Sequence, residues 1–207
     1  MINSVKPNLI ISDSRGAWLR ATILFILALI GTVGMWSVVV FIPDIEKEFG
    51  LDRGTSSLLY AFTMIGFGFG TVVIGKVYDK FGIKKPILLA TFVLITSYYF
   101  YSIFPFYWQF LILQFFMGFA ASAFFGPAMA DISNFFNKQR GFALSIVASA
   151  NYVAGATWPL LIGYFLTFID WRAAHFWISI CLFIMIPLIL LLKNASVDES
   201  KSHDMKQ

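Results

Sequence analysis

Between Pro86 and Ala130 the chain runs for 45 residues without an Asp, Glu, Lys or Arg. As a single helix this stretch would be about 68 Å long at about 1.5 Å per residue, twice a hydrocarbon core of about 30 Å. It therefore reads as two membrane spans with a turn between them. The turn falls at Phe104-Pro105-Phe106-Tyr107-Trp108-Gln109, because proline breaks a helix and Tyr and Trp favour the membrane interface. Further charge-free runs are Ala21–Ile42, Gly54–Gly75, Gly141–Ile169 and Ala173–Leu192. Six spans follow, at about 21–42, 56–75, 86–104, 108–130, 142–167 and 173–192. Residues 1–20 precede this body, and 193–207 form a polar tail that reads as disordered or as the start of a linker.

Composition narrows the class. Apolar residues make up 59% and charged residues 13% of the chain, against about 45–50% and about 25% in soluble domains. A soluble enzyme is excluded on that balance. Transmembrane barrels read as short alternating segments, and the runs here are long and unbroken, so the spans are helices. The lone Cys181 makes no internal disulfide. The first span is too long for a cleavable signal and is followed by Phe41-Ile42-Pro43-Asp44 instead of a small-residue cleavage site. Twelve Lys and Arg residues fall on the side of the termini and the 2–3 and 4–5 loops; the other side has three, Lys47, Arg53 and Arg172. The positive-inside rule then places both termini in the cytoplasm. The 1–2 loop, with Asp44, Glu46, Glu48 and Asp52, lies outside.

Between spans 2 and 3 the chain reads Gly75-Lys76-Val77-Tyr78-Asp79-Lys80-Phe81-Gly82-Ile83-Lys84-Lys85. A basic turn alone would account for the lysines, but not for Asp79 among them or the flanking glycines. Gly75 would admit a neighbouring backbone, and Gly82 permits a turn at positive φ. Asp79 can face a helix N-terminus or a basic side chain. The pattern resembles the 2–3 loop signature of the major facilitator superfamily, with matches at Gly75, Asp79, Lys80, Gly82, Lys84 and Lys85. Ile83 departs where many members carry arginine. Phe41 to Asp52, Gln139-Arg140-Gly141-Phe142-Ala143 and Asp170-Trp171-Arg172 are similar to the superfamily's 1–2 loop, its entry to span 5 and its approach to span 6. The resemblance runs from about Arg20 to Leu192 and covers the N-terminal half of a twelve-span member.

This likeness implies an all-α membrane protein with six transmembrane helices arranged as two inverted three-helix repeats, spans 1–3 and 4–6. It further implies alternating-access transport of a small solute by an N-terminal half-transporter. The second body would be a missing C-terminal half or a second copy of the chain. The bilayer is then the surrounding partner, in a plasma membrane or, for a prokaryote, the inner membrane. No nucleic acid, cofactor or metal is implied. Gly82-Ile83-Lys84-Lys85 and Arg140-Gly141-Phe142-Ala143 look like the monocarboxylate or oxalate/formate branch. Gln114, four residues before Gly118, stands where many members place a span-4 arginine, so proton or anion coupling has no support there. Of the span-5 antiporter pattern only Pro159 and Gly163 remain.

No charged residue lies in the interior of any of these spans. The polar candidates for a solute cavity are Thr32 and Trp36 in span 1, Gln114 and Ser122 in span 4, and Asn151 and Tyr152 in span 5. An amide inside a membrane must be satisfied by protein or water, so it marks either an interhelical bond or a site. A hydroxyl can satisfy itself on the preceding turn. Small residues recur at helix-contact spacing: Gly66/Gly70, Gly118/Ser122/Gly126, Ala150/Ala154 and Gly155/Pro159/Gly163. A membrane enzyme would need a nucleophile and a base in reach. His175 sits at an outer span end and no G-x-S-x-G occurs, so no catalytic residue is assigned. A non-transporting membrane scaffold stays open as the alternative.

Overall fold

The computed structural model describes residues 8–10, 12–192 and 195–197. The tail after Leu192, apart from Ala195–Val197, lies outside the described residues, as does the segment before Asn8. Six helices are long and apolar enough to cross a membrane: Arg15–Phe49, Arg53–Phe81, Lys84–Ile103, Tyr107–Phe135, Arg140–Phe165 and Trp171–Leu191. They are spans 1 to 6 below.

Several helices outrun the charge-free windows, because capping rather than charge sets their ends. Span 1 starts where the Ser14 hydroxyl accepts the Ala17 N–H at 3.4 Å. Span 2 starts at Asp52, whose carboxylate accepts both the N–H and the hydroxyl of Thr55 at 2.9 Å. Those two bonds hold the Asp52 carboxyl below its ordinary range. Span 6 starts where Asp170 accepts the Ala173 N–H at 2.8 Å. Gly50, at φ 63°, ends span 1 in the left-handed conformation. Asp44, Glu46, Lys47 and Glu48 are therefore helical, and only Gly50–Asp52 connects spans 1 and 2.

Three spans are interrupted near their middles. Span 1 breaks at Thr32, where the hydroxyl bonds back to the Ala28 carbonyl at 2.8 Å. Span 4 tightens into a 3₁₀ turn at Ser122–Phe124 and restarts at Gly126, with Pro127 in the first turn. Span 6 carries a similar turn at Leu182–Ile184.

Span 2 packs along span 4, span 3 lies against spans 4 and 6, and span 1 crosses span 5. At the 2–4 crossing the backbones touch. A Cβ at Gly66 would drive into the Phe115 carbonyl, and one at Gly118 into the Thr63 carbonyl. Gly70 sits against Ser122 and Phe119 in the same way. Small residues are what allow this approach without a hydrophobic driving force between helices. A Cβ at Gly126 or Gly163 would meet nothing within 4 Å, so among the described residues their spacing marks no close helix approach.

A two-stranded parallel pair joins Asn8–Ile10 to Ala195–Val197, linking the chain before span 1 with the chain after span 6. Beside it, the Asp13 carboxylate accepts the N–H groups of Asn137, Lys138 and Gln139 at 3.1–3.2 Å. The Asp13 N–H in turn donates to the Phe135 carbonyl at 3.1 Å.

Candidate functional site

The Gly75–Lys85 motif divides between two helices. Gly75 to Phe81 form the last turns of span 2, and the Gly82 N–H caps them at the Tyr78 carbonyl. Gly82 takes φ 72°, a conformation open to glycine at little cost. Lys84 and Lys85 begin span 3. Asp79 is exposed, and among the described residues it forms no ion pair. Gly75 is half-buried, yet a Cβ there meets nothing within 4 Å. The close backbone approach expected at Gly75 is not made by any described part of this chain.

Behind the motif lies a buried ion pair that sequence reasoning missed. Arg20 Nε donates to Asp131 Oδ2 at 2.6 Å and its Nη2 to Oδ1 at 2.9 Å, with both side chains almost fully buried. The guanidinium also lies 4.6 Å over the Phe135 ring. The pair ties the start of span 1 to the end of span 4. Each residue sits one position outside a charge-free window, which is why the spans read as free of charge. Ser14 followed by Arg15 and an apolar run was the available signal, since a helix capped there contains Arg20. One turn on from Asp131, Asn134 donates to the Tyr78 hydroxyl at 3.4 Å, joining spans 4 and 2 beside the motif.

The six cavity candidates fall into two groups. Thr32, Gln114 and Ser122 are interior. Thr32 and Ser122 bond to their own helix, at Ala28 and Phe119. Gln114 is held on two sides. Its carbonyl accepts the Thr63 hydroxyl at 2.9 Å, and its amide donates to the Tyr101 hydroxyl at 3.3 Å. This links spans 2, 3 and 4 through one side chain. Trp36, Asn151 and Tyr152 lie on the accessible crossing of spans 1 and 5. The Trp36 indole donates to Asn151 Oδ1 at 3.2 Å. Its ring lies 3.0 Å from where a Cβ on Gly155 would be. Trp158 extends this strip by donating to the Leu29 carbonyl at 2.7 Å. Tyr152 is 71% exposed. Pro159 sits inside span 5 one position after Trp158.

At the opposite end, near the start of span 6, His175 is fully buried. Its ring stacks on Tyr101 at 4.4 Å and lies 4.0 Å from Phe41. Nδ1 meets the Trp171 carbonyl at 2.7 Å. Above it Glu48 accepts from the Trp171 indole at 2.8 Å and from Arg172 Nη2 at 2.6 Å, and Arg172 Nη1 also donates to the Phe104 carbonyl at 2.8 Å. This cluster joins spans 1, 3 and 6. Its spacing signal, Trp171 and His175 one helical turn apart, is too common to reveal it.

An integral membrane bundle of six helices, with this motif between spans 2 and 3, meets a clear match among known families. The Major Facilitator Superfamily model matches residues 24–207. The chain belongs to the major facilitator superfamily. Among its relatives it is 31% identical over 105 residues to the MFS transporter asaE of Aspergillus flavus, covering 50% of this chain and 23% of that protein. It is 26% identical over 156 residues to the agnestins efflux protein AgnL12 of Paecilomyces divaricatus, 72% of this chain and 35% of that protein. It is 25% identical over 180 residues to the uncharacterized MFS-type transporter YdgK of Bacillus subtilis, 83% of this chain and 44% of that protein. The matched stretch is thus less than half the length of each of these superfamily relatives.

Proposed function

We propose that this chain is the first six-span half of a transporter that moves a small solute by alternating access. The reading is carried by the 2–3 loop motif on an open face: Asp79 is exposed and Gly75 has room for a neighbour that none of the described residues provides. A small residue beside a carboxylate at a helix end suits the arrival of another helix N-terminus. That second body is the C-terminal half of a longer chain, with a second copy as the runner-up.

Burial supports an inverted repeat. The first spans of the two triplets, 1 and 4, are the most buried, at 56% and 61%, and the second spans, 2 and 5, the least, at 28% and 22%. Spans 1, 4 and 6 are each interrupted, a trait of transporter helices near a binding site, though one that does not follow the repeat. The twelve-to-three basic bias supports cytoplasmic termini in a plasma membrane, or in a bacterial inner membrane.

The solute path in this reading runs along the span 1–5 face, past Trp36, Asn151 and Tyr152. Behind it Gln114 ties spans 2, 3 and 4 together, while Thr32 and Ser122 bond back to their own helices at interior positions. A path of indole, amide and phenol without a fixed charge suits a neutral or amphipathic organic solute; the efflux named for AgnL12 agrees with that, and a monocarboxylate is the narrower alternative. The test is uptake into vesicles by the 207-residue chain alone and by any longer natural form of it. Saturable uptake by the chain alone overturns the half-transporter reading. Absence of uptake in both overturns transport. In the transporting form, Asn151→Ala with Trp36→Ala should change solute preference, and Asp79→Ala should slow turnover more than it changes solute affinity.

A further inference from the structure

Spans 3 and 6 enclose a groove of about 530 Å³ lined by Leu88, Leu89, Phe92, Ile95, Phe183 and Ile186. Its volume lies within the ~300–1,000 Å³ of small-molecule sites. Thr91 also lines it, but the Thr91 hydroxyl is turned to the Ile87 carbonyl at 2.9 Å and offers the groove nothing polar. The one charged lining residue is Lys85, at the 2–3 loop end. An occupant must therefore be apolar along its length and polar at one tip.

The tip is basic. Lys85 Nζ lies 4.3 Å from the centroid of the Phe81 ring and Lys80 Nζ lies 5.3 Å from the same centroid. Two ammonium groups on one ring repel each other, and among the described residues neither takes part in an ion pair. Lys84 reaches over the end of span 6 towards the Leu190 carbonyl, at 3.4 Å. Asp79 is the nearest acid in sequence, but residues two apart on a helix do not share a face, so it does not stand beside Phe81. The start of span 3 adds to the field. Spans 1, 2 and 6 begin on Ser14, Asp52 and Asp170, whereas span 3, like spans 4 and 5, begins without a side-chain cap, here on Ile83. A helix N-terminus of this kind favours an anion.

We propose that this groove binds a phospholipid with an anionic headgroup, its acyl chain between spans 3 and 6 and its phosphate at Lys84, Lys85 and the start of span 3. Each lysine near the surface favours an anionic over a zwitterionic lipid by about fivefold. The inference is independent of whether the chain transports anything.

The experiment places an indole in the groove by Phe92→Trp in the full chain. The chain is reconstituted in mixed phosphatidylglycerol and phosphatidylcholine vesicles in which one lipid or the other is brominated. Quenching of the added indole, taken as the difference from the unsubstituted chain, should report a preference for phosphatidylglycerol of about 5- to 25-fold. Adding Lys84→Gln and Lys85→Gln should reduce it to within about twofold, and about 0.5 M salt should reduce it in the unsubstituted-lysine chain. Soluble glycerol phosphate should not compete, since it lacks the chain that fills the groove. Equal quenching by the two lipids, a preference that survives loss of both lysines, or displacement by glycerol phosphate would each overturn the proposal. Should the indole variant not fold, lipid retained by the unsubstituted chain on detergent extraction decides instead. Phosphatidylglycerol must be enriched over phosphatidylcholine there, and the enrichment must vanish in the Lys84→Gln, Lys85→Gln chain.

Discussion

Two helix crossings in this bundle are built from the same kinds of residue and work differently. Spans 2 and 4 meet backbone to backbone, with Gly66 against the Phe115 carbonyl and Gly118 against that of Thr63. Spans 1 and 5 meet through side chains, with the Trp36 indole on Asn151 and its ring over Gly155. A carbonyl belongs to a helix and cannot step aside; a half-buried indole can. The first crossing therefore has one geometry, and the second has room to adjust. Where glycine lies against a backbone it acts as a structural constraint; where it lies against an accessible ring it leaves play for a moving surface.

The same substitution placed at both crossings tests this contrast. Gly66→Ala or Gly118→Ala should have the largest effect, a loss of more than about 3 kcal/mol seen as collapse of thermal stability in detergent, because overpacking here displaces a whole helix. A fall of only a few tenths would show that spans 2 and 4 can slide apart. Next is Gln114→Leu, which removes the partner of the Tyr101 hydroxyl while Thr63 keeps its bond to Leu59; it should cost about 1–2 kcal/mol. Gly155→Ala should change stability by less than about 1 kcal/mol, since the Trp36 ring need move only a few tenths of an ångström and alanine favours the helix. Asn151→Ala should cost about 0.6 kcal/mol or less, the usual worth of such a bond. If it proves as costly as Gln114→Leu, the 1–5 crossing is as rigid as the 2–4 crossing.

The smallest effect lies outside both crossings. Asp52 caps span 2 with its carboxyl held below the ordinary range by the Thr55 N–H. A carboxyl lowered on folding stabilises above its unfolded pKa and loses that contribution as pH falls through the folded one. The cap should thus hold at neutral pH and weaken only under strong acid. An Asp52→Asn chain should lose that component of acid sensitivity in a pH series of unfolding curves.

Long apolar runs made the helices legible, and small-residue spacing marked Gly66, Gly70, Gly118 and Ser122, which all meet at one crossing. The same spacing also marked Gly126 and Gly163, where an added Cβ would meet no other described part of the chain within 4 Å. Spacing reveals which face of a helix is smooth but not which neighbour lies against it. Arg20 and Asp131 stand 111 residues apart, and no local pattern joins residues at that separation. The burial of His175 was not legible, because Phe41 and Tyr101, which enclose it, come from two other spans. Gln114 and Asn151 were equivalent as sequence, both amides inside apolar runs. They diverge because Thr63 and Tyr101 enclose the first, whereas the second meets one indole on an open face.

The strand pair at the bundle end sets a timetable for biosynthesis. Asn8 pairs with Ala195, so the first strand emerges from the ribosome long before its partner exists. At about 5–20 residues per second the wait is roughly 10–40 s. Any earlier attempt at pairing fails for want of a partner, and closure occurs only after span 6 has been made. The N-terminal strand therefore acts as a late seal on this six-span body, and protection of Asn8–Ile10 from protease during synthesis would time the insertion of span 6.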